Sequence, residues 1–338
     1  MKSVVYRETG GPEVLQVVDR EVPDPGPAEV RVRLAVAGVN PTDWKSRRGG
    51  GLSAVDGDVV PGQDGAGTVD ALGPGVEGLA VGDRVWVHLA QHQRPTGTAQ
   101  QVTVLPAERV VPLPEGVSFD VGASLGVPAI TAHRALTVAE DLPARLAPGS
   151  LAGRTVLVAG GAGAVGHAAV QLARWAGATV VTTVSSDAKA ALARAAGAHH
   201  VVDYREQDVP AAVREVAPDG VDLVVEVAPA ANLEHDLAVL RPRGTVAVYA
   251  NDGGHVVSLD VRAGMVTNLR LQFVLLYTVG QDALDAAVQD VTAALRDGAL
   301  PVGEEHGLPL HRFPLERTAD AHAAVEAGAV GKVLVDVG

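Results

Sequence analysis

The sequence predicts an α/β protein of two lobes, one mostly β and one built on a doubly wound parallel sheet. Three observations carry that prediction. At 338 residues the chain is too long for one small core. Residues 1–125 are dense in valine, glycine and proline, with short apolar alternations such as VRVRLAV (Val30 to Val36) separated by turn dipeptides. From residue 126 onward, β-branched apolar runs alternate with alanine-rich helical stretches, which is the texture of successive βαβ units. The β lobe is therefore assigned to 1–125 and 299–338, and the parallel-sheet lobe to 126–298.

In the second lobe TVLVAG supplies the first strand, GHAAVQLARWAGA the first helix and Thr179 to Val184 the second strand. DAKAALARAAGA, DLVVEVA and TVAVYA continue the alternation. The closing LPLHRFPLERTADAHAAVEAGAVGKVLVDVG reads as strand, helix and strand with no partners of their own, so it returns to the first lobe. The chain contains no internal repeat.

Composition narrows the function. With 27 basic and 40 acidic residues the net charge is -13, which repels a nucleic-acid duplex. Zero cysteines removes disulfides, thiolate nucleophiles and cysteine-ligated zinc, so redox chemistry here needs a borrowed cofactor. MKSVVYRETGG lacks the apolar stretch of a signal peptide, and a cytoplasmic address is expected. The longest uncharged stretch, between Arg154 and Arg174, is interrupted by glycines and a histidine, so no membrane partner is expected.

The strand Thr155 to Val158 runs into Gly160, Gly161, Ala162, Gly163, Ala164 and Val165, and then into a helix that includes Gly166 and reaches Trp175. A pyrophosphate must approach backbone N–H groups at a helix N-terminus, and glycines clear its path. The strand before, the helix after and the second strand all fall where a dinucleotide-binding βαβ unit requires them. The end of the second strand selects the cofactor. An acidic residue there accepts the ribose hydroxyls of NAD, whereas a 2′-phosphate needs donors and positive charge. This chain reads Val184, Ser185, Ser186, with Lys189 one helical turn on, and it holds only four lysines. NADPH is the expected cofactor.

Taken together, GGPEVL (Gly10 to Leu15), VNPTDWKSR (Val39 to Arg47), PGQDGAGTVDALGPGVEGLAVGDRV (Pro61 to Val85), VPAITAHRAL (Val127 to Leu136), the glycine turn, AGAHHVVDY (Ala196 to Tyr204) and GKVLV (Gly331 to Val335) resemble the medium-chain dehydrogenase/reductase superfamily, in its zinc-independent NADPH quinone oxidoreductase branch. The resemblance covers nearly the whole chain. It implies a GroES-like catalytic lobe, a Rossmann cofactor lobe and a homodimer joined through the cofactor lobes. Where the zinc enzymes of the superfamily carry a cysteine and a His-Glu pair, this chain has Asn40, Gln63 and Asp64, so no metal is expected.

The same resemblance assigns roles. Asn40 hydrogen-bonds the acceptor or the nicotinamide ribose, or else caps the turn before Pro41. Lys45 stands where quinone oxidoreductases place a tyrosine near the nicotinamide. Thr131 lies over the nicotinamide ring or simply opens its helix, and Tyr204 contacts the 2′-phosphate or packs. Lys332 matches a position facing the cofactor. Asn251 follows a strand at the carboxyl edge where doubly wound sheets place ligands. Phe273 lines the ligand pocket or a dimer edge. Arg47 and Arg48 attract an anionic substrate tail or form a solvated basic loop. The expected activity is hydride transfer from NADPH to a quinone, an enone or a related conjugated carbonyl. An enoyl reductase acting on thioesters and a non-catalytic NADPH-binding protein stay open as alternatives.

Overall fold

The computed structural model describes residues 1–51 and 56–338. It opens with strands β1 (Lys2–Val5) and β2 (Gln16–Asp19), paired antiparallel as a small ribbon. The long strand β3 (Glu29–Val39) leads into the short helix α1 (Pro41–Lys45). Strands β4 (Asp64–Leu72), β5 (Arg84–Val87), β6 (Val102–Pro106) and β7 (Val110–Pro112) follow, then helices α2 (Phe119–Ala123) and α3 (Gly126–Leu136).

From there strand and helix alternate: β8 (Thr155–Ala159), α4 (Ala164–Trp175), β9 (Thr179–Val184), α5 (Asp187–Ala195), β10 (His200–Asp203), α6 (Val209–Val216), β11 (Val221–Glu226), α7 (Pro229–Val239), β12 (Leu240–Val248), α8 (Val261–Thr267), β13 (Arg270–Phe273) and α9 (Gln281–Arg296). Strand β14 (Leu310–Pro314), helix α10 (Thr318–Glu326) and strand β15 (Lys332–Asp336) close the chain.

The contacts divide into two compact units, Met1–Val127 with Leu310–Gly338, and Pro128–Pro309. The second unit holds a six-stranded parallel sheet in the order β10-β9-β8-β11-β12-β13. Its order reverses beside β8, the switch point of a doubly wound fold. Strands β8, β9 and β11 are β-branched-rich and buried along almost their whole length, as strands covered on both faces must be. The segment after α9 stays with this unit, so the crossing back lies later than residue 299. Gln171 Nε2 donates to the Pro301 carbonyl at 3.0 Å, and His167 Nε2 donates to that of His306 at 2.8 Å.

In the first unit the sheet order is β14-β15-β3-β4-β5-β7. Strand β3 is its spine. β4 runs along one edge, while β6 takes the N-terminal half of the other edge and β15 the C-terminal half. Burial alternates along β3 up to Leu34, as one covered face dictates, and from Val36 every residue is buried. Gly38 sits in that crowded half. A Cβ there would lie 2.0 Å from the Ala123 carbonyl oxygen and 3.0 Å from Lys332 Cε. Among the described residues no helix is long and apolar enough to cross a membrane.

Candidate functional site

The carboxyl edge of the parallel sheet carries the first cluster. The chain leaves β8 through Gly160, whose φ of 69° is one that glycine adopts without strain. The Gly160 and Gly161 N–H groups reach the Thr183 carbonyl at 3.1 and 3.3 Å. A Cβ on Gly161 would meet Thr182 Oγ1 at 2.2 Å, and one on Gly166 would meet the Gly160 carbonyl oxygen at 2.3 Å. These two glycines let turn, strand and helix approach one another. Gly163 differs: it caps α4 without a side chain, and a Cβ there would touch nothing nearer than 3.4 Å. The leading N–H groups of α4, from Ala164, Val165 and Gly166, have no intrahelical acceptor. With the helix dipole behind them and no side chain in front, they form a cradle for an anion, beside Ala162 in the turn.

Val184 pairs with Asp203, so Ser185 and Tyr204 continue side by side from neighbouring strands. Ser186 Oγ accepts from the Lys189 N–H at 3.4 Å and caps α5, while Lys189 Nζ donates to Ser185 Oγ at 3.0 Å. Tyr204 is exposed. An ammonium, two hydroxyls and a phenol therefore gather where the strand ends, and Asp187 belongs to the first turn of α5. Asn251 and Phe273 lie on the other side of β8 in the sheet order. Asn251 Nδ2 contacts His255 Nδ1 at 2.6 Å, and Phe273 is 63% exposed at the end of edge strand β13. Thr131 is buried within α3.

The second cluster lies in the first unit. Asn40, Asp43, Asp64 and Lys332 are each at most 1% exposed. The register Val333↔Val39 brings Lys332 opposite Asn40, and Gly38 leaves room for its stem. Lys332 Nζ donates to Asn40 Oδ1 at 2.7 Å and lies 3.4 Å from Asp64 Oδ2. Asn40 Nδ2 donates to the same Asp64 oxygen at 2.7 Å, and the Val127 N–H donates to Asp64 Oδ1 at 2.8 Å. Gly126 is needed there, because its Cβ would fall 2.0 Å from that oxygen. Asp43 Oδ2 accepts from the Asn40 N–H at 2.7 Å.

Burial pushes Asp43 up to about 8, with the neighbouring Asp64 charge adding to it. Burial also raises Asp64 and lowers Lys332, and the attraction between the two opposes both shifts. Three donors converge on Asp64 and favour its carboxylate form, so we treat the pair as ionic.

Several expectations are corrected here. Lys332 turns inward onto Asn40 and Asp64, contacts that the sequence did not point to. Lys45 lies outside the cluster, with its ammonium 5.8 Å from the centre of the Trp44 ring. Arg47 is not solvated, and neither it nor the half-exposed Arg48 is a free cation. Both pair with Glu326 of α10, Arg47 at 2.8 Å and fully buried. Asp43 was not singled out from the sequence, and Asp64 only as a replaced zinc position. The available signal was a carboxylate set among glycines in QDGAG at a strand start, where a solvated charge has little room.

Two family models match the chain, the alcohol dehydrogenase GroES-like domain over residues 26–115 and the zinc-binding dehydrogenase over 164–293. A 2-haloacrylate reductase of Burkholderia sp is 33% identical over 95% of this chain and 94% of its own length. The human quinone oxidoreductase is 30% identical, over 99% of this chain and 97% of its own. The chain belongs to the medium-chain dehydrogenase/reductase family, quinone oxidoreductase branch. Among solved structures, an NAD-dependent alcohol dehydrogenase superposes with a TM-score of 0.87 at 30% identity, covering 100% of both chains. The Escherichia coli quinone oxidoreductase complexed with NADPH superposes with a TM-score of 0.82 at 26% identity, over 99% of this chain and 100% of that one. Within this quinone oxidoreductase-type chain, Asn40 and Asp64 fall inside the GroES-like match, whereas Lys332 lies outside both matched ranges.

Proposed function

We propose that the chain is an NADPH-dependent, zinc-independent reductase that delivers hydride to a quinone, an enone or a related conjugated carbonyl, and that it works as a homodimer. The observation that carries this reading is the Lys189–Ser185 pair at the end of β9, which offers a cation and hydroxyls where a dinucleotide's ribose is recognised. That donor set fits a 2′-phosphate, and NADPH is chosen over NADH on that ground. The glycine turn Gly160 to Val165 holds the pyrophosphate, Ser185, Ser186, Lys189 and Tyr204 hold the phosphate, and Thr131 borders the nicotinamide. NADPH, when bound, supplies the hydride. Asn40 hydrogen-bonds the acceptor, the protein groups position the reactants, and the proton comes from water.

The names of the relatives bracket the acceptor. A quinone and a 2-haloacrylate share a carbon–carbon double bond made electron-poor by a conjugated carbonyl. Zinc independence rests on donor chemistry. Asn40 and Gln63 are neutral amides, and the Lys332 ammonium occupies the space beside Asn40 and Asp64 that a cation would need. The homodimer rests on edge strand β13 and on the exposed apolar side chains Val261, Met265, Val266 and Phe273 around it.

Steady-state oxidation of NADPH with a panel of quinones, enones and 2-haloacrylates, with and without a chelator, tests the reading. Turnover with NADPH exceeding that with NADH, unchanged by the chelator, is expected. If every acceptor is inert, the reading is wrong.

A further inference from the structure

Asn40 is held on two sides by groups whose hydrogen-bonding character is fixed. An ammonium can only donate, so the Asn40 atom 2.7 Å from Lys332 Nζ must be the amide oxygen. A carboxylate can only accept, so the atom 2.7 Å from Asp64 Oδ2 must be the amide nitrogen. Both constraints demand the same orientation, and flipping the amide would break both at once. One N–H of Asn40 is engaged with Asp64, which leaves the second as the only amide donor that an acceptor could engage.

The ammonium on Oδ1 also draws electron density through the planar amide and makes the remaining N–H a stronger donor, as chained hydrogen bonds polarise one another in a low-dielectric interior. We propose that Lys332 and Asp64 are positioning residues that lock and polarise the Asn40 amide, so that its free N–H stabilises the negative charge developing on the acceptor's carbonyl oxygen. The inference rests on the preceding reading of the reaction. It assigns to a buried lysine, acting through an amide, the electrostatic work that a cation at the oxygen would perform. Asp43 supports the same residue from behind, because its carboxyl holds the Asn40 backbone N–H at 2.7 Å and fixes the start of α1.

Three features single out this arrangement from ordinary packing. The lysine is fully buried at the first residue of β15, a place where an apolar side chain would be cheaper. Two glycines, Gly38 and Gly126, are sterically committed to making room for Lys332 and Asp64. The two charges meet at Asn40 and at each other, with no further charged side chain hydrogen-bonded to either among the described residues.

A double-mutant cycle tests the proposal. The neutral pair Lys332→Met with Asp64→Asn removes both fixed partners without leaving one charge alone. It should lower kcat for an enone by about 10- to 100-fold, the effect of losing one charge-assisted hydrogen bond in the transition state. KM and the affinity for NADPH should change far less. In an Asn40→Ala background the same pair should produce no further loss, because the residue through which it acts is gone. Thermal unfolding of each variant shows whether it folds. If the neutral pair does not fold, Lys332→Arg keeps both buried charges paired while moving the donor on Asn40 Oδ1, and it should lower kcat by about 10-fold in the wild-type background only. Wild-type kcat in the folded neutral pair, or equal losses with and without Asn40, would overturn the proposal. A wild-type protein inert toward every acceptor would instead overturn the reading on which it rests, and the inference with it.

Discussion

Lys189 reaches Ser185 from four positions along the chain, and that short separation is why the sequence could group the two in one phosphate site, though not their contact with each other. Ser185 stands just before the Ser186 cap and Lys189 in the first turn of α5, so the strand-to-helix junction itself brings them together. If the pair holds a 2′-phosphate, replacing Lys189 by alanine removes one charge-assisted contact, and NADPH affinity should fall about 10- to 150-fold. NADH affinity should stay nearly unchanged, since NADH has no phosphate to lose. Fluorescence titration of both cofactors decides it, and equal losses would reduce Lys189 to a structural role. The opposite case is Lys332, which meets Asn40 across 292 positions. No propensity or local pattern encodes that meeting. It follows from the register of β15 on β3, a tertiary fact. The sequence carried only its shadow, a lysine ahead of VLV and glycines with no turn to make.

At the level of elements, alternation was the legible signal. The βαβ texture gave the order of strands and helices in the second unit because fully buried strands and amphipathic helices leave different periodicities. What it concealed was the polar seam between β11 and α7. Glu226 ends β11 fully buried, with its Oε1 accepting from Asn232 Nδ2 at 3.0 Å, and Asp236 of α7 shares a hydrogen bond with it. Burial, and then the Glu226 charge, pushes Asp236 up to about 9. A carboxyl raised in the folded state binds its proton more tightly there than in the unfolded chain. Its contribution to stability is therefore present at low pH and is lost as pH rises through about 9. The midpoint of thermal unfolding should fall between neutral pH and pH values above about 9, and Asp236→Asn should flatten that fall. Identical slopes for wild type and variant would show that the pair does not share a proton.

For the molecule as a whole, the division into a β unit built from both chain ends and a parallel-sheet unit was accessible, because strands without local partners must find them elsewhere. The point of return was not, since it depends on carbonyls at Pro301 and His306 that accept from Gln171 and His167. Association belongs to this scale too. Of the six large apolar side chains most exposed among the described residues, all but Val81 fall in the stretch around α8 and β13: Val256 at 83%, Val261 at 70%, Val266 at 66%, Met265 at 65% and Phe273 at 63%. Sedimentation should give a mass twice that of one chain. The double change Val266→Glu with Phe273→Glu should leave a folded monomer, because two like charges would face their own copies across a two-fold interface. A wild-type monomer at micromolar concentration would refute the homodimer.

The ion pair under Asn40 also bears on how such a site can change over generations. Replacing Lys332 alone strands a carboxylate, and replacing Asp64 alone strands an ammonium. Breaking a buried pair in this way costs about 3 to 5 kcal/mol, a large share of the roughly 5 to 15 kcal/mol that holds a typical protein folded. A first single step from this amide-centred arrangement toward a metal-binding one should therefore lower stability.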